Sequence, residues 1–198
     1  MNSTVANELR TGVWHAYSNV AANPKAKHPF PTGRELALNV GYPKTLLETL
    51  PATTVDAFAG VSYMPGFVEF TENSTVLDLG CGAGLDTLIA SQSVGSEGSV
   101  VSIDFSATML NRASSAAQTM AYDNVRFVRS AAEAIPLPAA SVDLVMINGI
   151  FNLNPAREII FAELARVVRP GGAVYAAELI LRDPLAEEVQ ANKENWFA

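Results

Sequence analysis

Val76-Leu77-Asp78-Leu79-Gly80-Cys81-Gly82-Ala83-Gly84-Leu85-Asp86 decides the reading of this chain. A short apolar run ends in glycine at every second position, and a helical pattern follows at once. A strand that feeds a glycine-rich turn and then a helix presents backbone N–H groups to a nucleotide-like ligand. Glycine suits such a turn because it lets the backbone bend tightly and lets ligand atoms approach closely. Asp78 stands just before the glycines, and Asp104 closes the next apolar run, where a carboxylate can accept both hydroxyls of an adenosine ribose. The dinucleotide fingerprint G-x-G-x-x-G requires glycine at 85, where Leu85 stands, so an NAD-dependent reductase is the weaker fit.

Downstream the pattern alternates. A helix is predicted over 84–94, a strand over 99–103, a helix over 106–121, strands over 124–128 and 142–147, and a helix over 155–168. Pro170-Gly171-Gly172 reads as a turn before a fifth strand over 173–179. Alternating strands and helices of these lengths imply a parallel sheet covered on both faces, an α/β architecture. Upstream, Val5, Leu9, Val13 and Tyr17 fall four apart on one face of a helix over 3–19. Three prolines make 23–31 a loop. Thr32 and Glu35 have capping-box spacing for a helix that Gly41 ends, Pro43 opens another over 43–50, and 53–60 is one more short helix. Asp183-Pro184 caps a last helix to the chain end. The expected organisation is a helical cap over 1–70, a ligand-binding core over 71–182 and a terminal helix over 183–198.

Beyond the glycine turn, several stretches share one likeness. Glycines at 80, 82 and 84 after Asp78 resemble motif I of the class I, Rossmann-like methyltransferases. Asp104-Phe105-Ser106 with Met109 and Leu110 is similar to that family's second motif. Ser130-Ala131-Ala132-Glu133-Ala134-Ile135-Pro136 resembles its G-D-A-E-x-L-P stretch. Ser141-Val142-Asp143-Leu144-Val145 and Arg169-Pro170-Gly171-Gly172 resemble its entries to the fourth and fifth strands. A narrower resemblance, to the arsenite-methyltransferase branch, lies in Asn148-Gly149-Ile150-Phe151-Asn152-Leu153-Asn154-Pro155. The resemblance implies S-adenosylmethionine as cofactor, held by Asp78, Gly80, Cys81, Gly82, Asp104, Phe105, Met109, Ala131, Ala132 and Asn148. It implies a methyl transfer in which the enzyme chiefly aligns acceptor, methyl and sulfur, so no acid–base pair is required. Tyr17, Asn148, Phe151 and Asn152 are the candidates for facing the acceptor, while His15 and His28 read as surface residues.

Three departures from the family pattern shape the expectation. Soft trivalent arsenic needs thiolate ligands, yet the chain has one cysteine, Cys81, and Gly149 stands where the pattern has a second. Ala131 occupies the position of the acidic residue that receives the adenine amino group, leaving Glu133 or the backbone N–H of Ala132 for that contact. Strands six and seven of the family fold have no counterpart, so strand five reads as an apolar edge that invites pairing. The expected partner is a second chain, homotypic or heterotypic, completing the sheet there, with Trp196 and Phe197 as interface anchors.

Composition bounds the rest. The 49% hydrophobic content supports a packed core, and a net charge of −7 argues against nucleic acid or an anionic membrane as partner. One cysteine excludes an internal disulfide and a multi-cysteine metal site, and no metal is expected. No apolar run approaches the roughly 20 residues of a membrane span, and the N-terminal residues do not read as a signal peptide, so the cytoplasm is the expected compartment. The expected activity is methyl transfer to a small molecule, by this chain or by a complex in which it binds the cofactor. The alternative is a non-catalytic scaffold subunit.

Overall fold

The computed structural model describes residues 3–183. Its sheet is made of β1 (Thr75–Leu79), β2 (Ser99–Asp104), β3 (Val125–Arg129), β4 (Val142–Asn148) and β5 (Val168–Ala177), in the order β3-β2-β1-β4-β5. Every pairing is parallel. The crossovers are α5 (Leu85–Val94), α6 (Ala107–Thr119) and α7 (Arg157–Val167). Before the sheet come α1 (Ser3–Ala22), α2 (Gly33–Asn39), α3 (Lys44–Thr49), α4 (Ala52–Val55) and a 3-10 turn at Met64–Phe67. This is the α/β, Rossmann-like architecture that the alternation implies.

The period of two along β1 sorts its side chains to opposite faces. Leu77 and Leu79 join Val101, Ile103, Val145 and Ile147 in the core under Ile160 and Leu164 of α7. Val76 goes the other way, with Val100, Leu144 and Met146, to meet Ala90 and Val94 of α5. Asp78 shares that second face and is buried, so it must find a partner inside the protein. Thr87 of α5 supplies one by donating its hydroxyl to Asp78 Oδ2 at 2.5 Å, and it lies 3.0 Å from Ser102 Oγ of β2. A second core, of α2 and α3 residues such as Ala37 and Leu47, seats the cap on Leu85, Leu88 and Ile89 of α5.

Several boundaries differ from expectation for local reasons. Thr32 does occupy the N-cap of α2, but its side chain makes no capping bond. Pro43 is the N-cap of α3, just outside the helix. The helix expected over 53–60 is a single turn, Ala52–Val55, and beyond it the Phe58 carbonyl accepts the Gly33 N–H at 2.7 Å. The Pro170-Gly171-Gly172 turn lies inside β5: Val168 pairs with Val142 and Ala173 with Leu144, so the intervening residues bulge, with Gly171 at φ +84°. Among the described residues β5 has no strand on its outer side. The expected terminal helix, with Trp196 and Phe197, lies outside the described residues.

Candidate active site

The sheet order reverses between β1 and β4, and at such a switch point the loops after adjacent strands part to leave a crevice. Here a cavity of about 460 Å³ opens over the carboxyl ends of β1, β2 and β4. One wall is the segment 78–86, and the facing wall is α1, through Arg10, Thr11, Val13, Trp14 and Tyr17.

The glycine turn is shaped by backbone need. Gly82 has φ +52° and a Cβ placed there would meet nothing within 4 Å, so its left-handed conformation turns bare backbone toward the cavity. Gly84, at φ +85°, starts α5, and a Cβ there would stand 2.8 Å from the Ala113 Cβ of α6. Its smallness therefore serves helix–helix contact.

Asp104, at the end of β2, is 6% exposed. It accepts the Gly82 N–H at Oδ2 (2.9 Å) and the Ser106 N–H at Oδ1 (2.8 Å), and Ser106 caps α6. Burial pushes its carboxyl up to about 6, against those backbone bonds, which favour the charged form. Asp78 is pushed up to about 8, chiefly by burial and next by the nearby charge of Asp86. Asp86 itself is pushed up to about 6 by burial, opposed by hydrogen bonds from Tyr42 and Asn148. Three buried carboxyl groups thus share one cavity, and among the described residues none is paired with a lysine, arginine or histidine.

The structure brings all ten residues expected at the cofactor to this cavity, and Tyr17 with them. Tyr17 stacks on Phe30 with ring centroids 4.9 Å apart, and burial followed by the charges of Asp104 and Glu178 pushes its hydroxyl upward. Asn148 differs from its expected role of facing an acceptor. Its Oδ1 accepts the N–H groups of Val61 and Ser62 (2.8 and 3.2 Å), and its Nδ2 donates to Ser62 O (2.9 Å) and Asp86 Oδ2 (2.8 Å). Every hydrogen-bonding site of the amide is used.

Phe151 and Asn152 do not line the cavity. Phe151 is buried in the sheet core and stacks on Phe161, because the turn after β4 folds under its own cap. That cap is Glu178, whose carboxylate accepts the N–H groups of Ile150, Phe151 and Asn152 at 2.8, 2.9 and 3.2 Å. Glu133 is ion-paired with Arg10 of α1 across the cavity mouth. His15 lies edge-on to Trp14 and His28 bonds to Asn23 O, neither of them at the cavity.

The sequence reading missed Asp86, Tyr42 and Glu178. A usable signal was present for Asp86: α5 is buried on nearly all sides, so a carboxylate in its first turn has to be answered by a polar partner. Tyr42 and Glu178 carry no such local signal, since their partners are distant in sequence.

Comparison with known proteins agrees with this geometry. Residues 70–197 match the family described as a methyltransferase domain. The chain is 31% identical over 144 residues to an arsenite methyltransferase of Halobacterium salinarum, covering 73% of this chain and 37% of that protein. It is 36% identical over 104 residues to a demethylmenaquinone methyltransferase of Lactococcus lactis, covering 52% of this chain and 41% of that one. The chain thus spans about two fifths of the length of these curated relatives. A solved arsenic(III) S-adenosylmethionine methyltransferase from Chlamydomonas reinhardtii superposes with a TM-score of 0.64 at 27% identity, over 85% of this chain and 58% of that one. A parallel sheet with its crevice at the β1–β4 switch point, glycine backbone facing a buried β2 carboxylate, and a family match over most of the chain lead to one assignment: the chain belongs to the class I, S-adenosylmethionine-dependent methyltransferase family and is related to its arsenite-methyltransferase branch.

Proposed function

We propose that this chain binds S-adenosylmethionine in the cavity over β1, β2 and β4 and serves methyl transfer to a small-molecule acceptor. The observation that carries the reading is the Asp104 carboxylate fixed by Gly82 and Ser106 N–H groups on the cavity wall. Each carboxylate oxygen has a second lone-pair direction left for a ribose hydroxyl. The residues present fit the cofactor. The cavity volume lies within the range of small-molecule sites, its buried carboxylates suit a cationic ligand, and Phe105 and Met109 offer apolar surface beside Ala131 and Ala132 for a flat heterocycle. Asp78 lies at the methionine end in this reading, and the bare backbone at Gly80 and Gly82 admits close approach.

When bound, S-adenosylmethionine supplies an electrophilic methyl group on a sulfonium. The chain's own task is alignment and exclusion of water. Tyr17 and Trp14 of α1 cover the cavity, and the Arg10–Glu133 pair fastens that helix across its mouth. The loop carrying Ala131 and Ala132 is fixed from behind: Glu163 accepts the Ile135 N–H at 2.8 Å, and Arg166 donates to the Ile135 and Leu137 carbonyls.

The acceptor we propose is not arsenite. Cys81 is the one thiol of this sequence, and burial pushes it well above its usual range, so the chain supplies no set of thiolates for soft trivalent arsenic. Assembly with a partner chain along the outer edge of β5 is a further part of the reading, supported by exposed Val174 and by Leu179, Ile180 and Leu181 just beyond the strand. Calorimetric titration with S-adenosylhomocysteine tests the cofactor assignment: saturable binding is expected, and no saturable heat at high micromolar ligand rejects it. The scaffold alternative rests on Ala131 and on Glu133 being engaged by Arg10. If Asp104→Ala leaves the activity of the assembled enzyme unchanged, the scaffold reading replaces the catalytic one.

A further inference from the structure

We propose that Asp86 is a second recognition carboxylate of the cofactor cavity, that it receives the α-ammonium group of the methionine portion, and that Tyr42 and Asn148 position it. The proposal rests on the cofactor reading above and adds to it a residue that neither the glycine motif nor the β2 carboxylate contains.

The arrangement of the three carboxyl groups gives the cavity a direction. Asp78 stands on β1, which lies between β2, carrying Asp104, and β4, whose Asn148 holds Asp86. Asp104 is tied to Gly82 and Ser106 and marks the adenosine side. Asp86 therefore marks the opposite end, beside Gly60 and Asn148. A ligand running from Asp104 past Asp78 ends at Asp86.

Asp86 is 7% exposed, and both of its oxygens are held by neutral donors: the Tyr42 hydroxyl on Oδ1 and Asn148 Nδ2 on Oδ2 at 2.8 Å. Neither donor offsets a buried negative charge as a cation does, and a buried carboxylate without a cation is costly. Each oxygen keeps a lone pair for another donor. A ligand ammonium satisfies both needs at once. The holders are rigid. Tyr42 is buried among Phe58 and Tyr63, with ring centroids 5.0 and 4.7 Å away, and the Asn148 amide has no free site with which to meet ligand itself. Carboxylate orientation is thus set before ligand arrives, which lowers the ordering cost of binding.

Two probes isolate the methionine portion. S-adenosylhomocysteine carries the α-amino acid, whereas 5′-methylthioadenosine presents the same adenosine and thioether without it. In calorimetric titrations of the full chain, Asp86→Asn is expected to weaken S-adenosylhomocysteine about tenfold or more. Affinity for 5′-methylthioadenosine is expected to stay within about twofold of wild type. Tyr42→Phe, which keeps the carboxylate, is expected to shift the ratio of the two affinities in the same direction by about threefold. Equal losses for both probes, or an unchanged ratio in Tyr42→Phe, overturn the role of Asp86 while leaving the cofactor reading intact. Failure of the wild-type chain to bind either probe rejects the cofactor reading and the proposal with it.

Discussion

The strand-end wall of the cavity and the helical wall that faces it are held by different means. At the strand ends, Asp104 is fixed by two backbone N–H groups, Asp78 by Thr87, and Asp86 by Tyr42 and Asn148, all inside the packed core. The ties of the α1 wall include Ser18 against Ser106 at 2.9 Å, the Arg112 guanidinium on the Ala21 carbonyl, and Arg10 on Glu133. Arg10 is also 45% exposed, so water competes for its pair. The first wall is a preorganised surface that concentrates buried charge. The second is a cover that can part at modest cost, as a site that admits and releases ligand needs.

The largest effect that distinguishes the walls is one of pH, because the buried carboxyl groups line the strand-end wall. All three have folded-state values raised above the usual carboxylate range, Asp86 and Asp104 to about 6 and Asp78 to about 8. The folded protein then binds more protons than the unfolded chain, so the stability they contribute is complete below about pH 4 and is lost as pH rises from there through about 6 for Asp86 and Asp104 and about 8 for Asp78. Denaturant unfolding of the ligand-free chain should show a loss on the order of 6 kcal/mol between pH 5 and 8. Stability that is flat or rising over that interval contradicts the picture of an uncompensated buried charge cluster.

Asp104→Ala comes next. It removes a carboxylate held in place for a ribose, and binding of S-adenosylhomocysteine should weaken by about 2–3 kcal/mol, roughly 30- to 150-fold by calorimetry. Gly84→Ala probes the same wall without touching ligand chemistry. The left-handed backbone and the 2.8 Å approach to Ala113 should cost about 2 kcal/mol, seen as a melting temperature about 4–8 °C lower. On the helical wall, Tyr17→Ala should raise the dissociation constant about tenfold and lower the melting temperature by a few degrees, since its stack on Phe30 both covers the cavity and packs on the buried cluster below. Arg10→Ala should be smallest, below about 1 kcal/mol, and should appear as faster ligand release in stopped-flow traces. An Arg10 effect as large as that of Asp104 would erase the contrast between the walls.

The same division governs what was legible in the sequence. Strands β1, β2 and β4 are short apolar runs stopped by glycine, aspartate or asparagine, so each is legible as a strand. The residues that the motif resemblance assigns to the cofactor fall on these strand ends and the turn after β1, and Asp78, Gly82 and Asp104 among them line the cavity. The cap was harder to read. The stretch 53–60 has a helical composition, but the helix stops after one turn at Val55 and the following backbone is engaged by a distant segment, through the Phe58 carbonyl and the Gly33 N–H. Phe151 and Asn152 were assigned to the acceptor by position after β4, whereas Glu178, distant in sequence, folds their backbone inward. Asn148 was placed correctly at the cavity, but its four hydrogen bonds run to the segment 61–62 and to Asp86, which no spacing rule reveals.

The pocket floor also behaves as a proton store. With Asp78 raised to about 8 and its side chain hydrogen-bonded, among the described residues, to Thr87, its carboxyl is largely neutral at physiological pH in the empty protein. A sulfonium or ammonium arriving beside it favours the ionised form and expels that proton to solvent. Capture of a positively charged ligand is therefore an exchange of one cation for another. Its heat carries the ionisation enthalpy of whichever buffer takes up the proton.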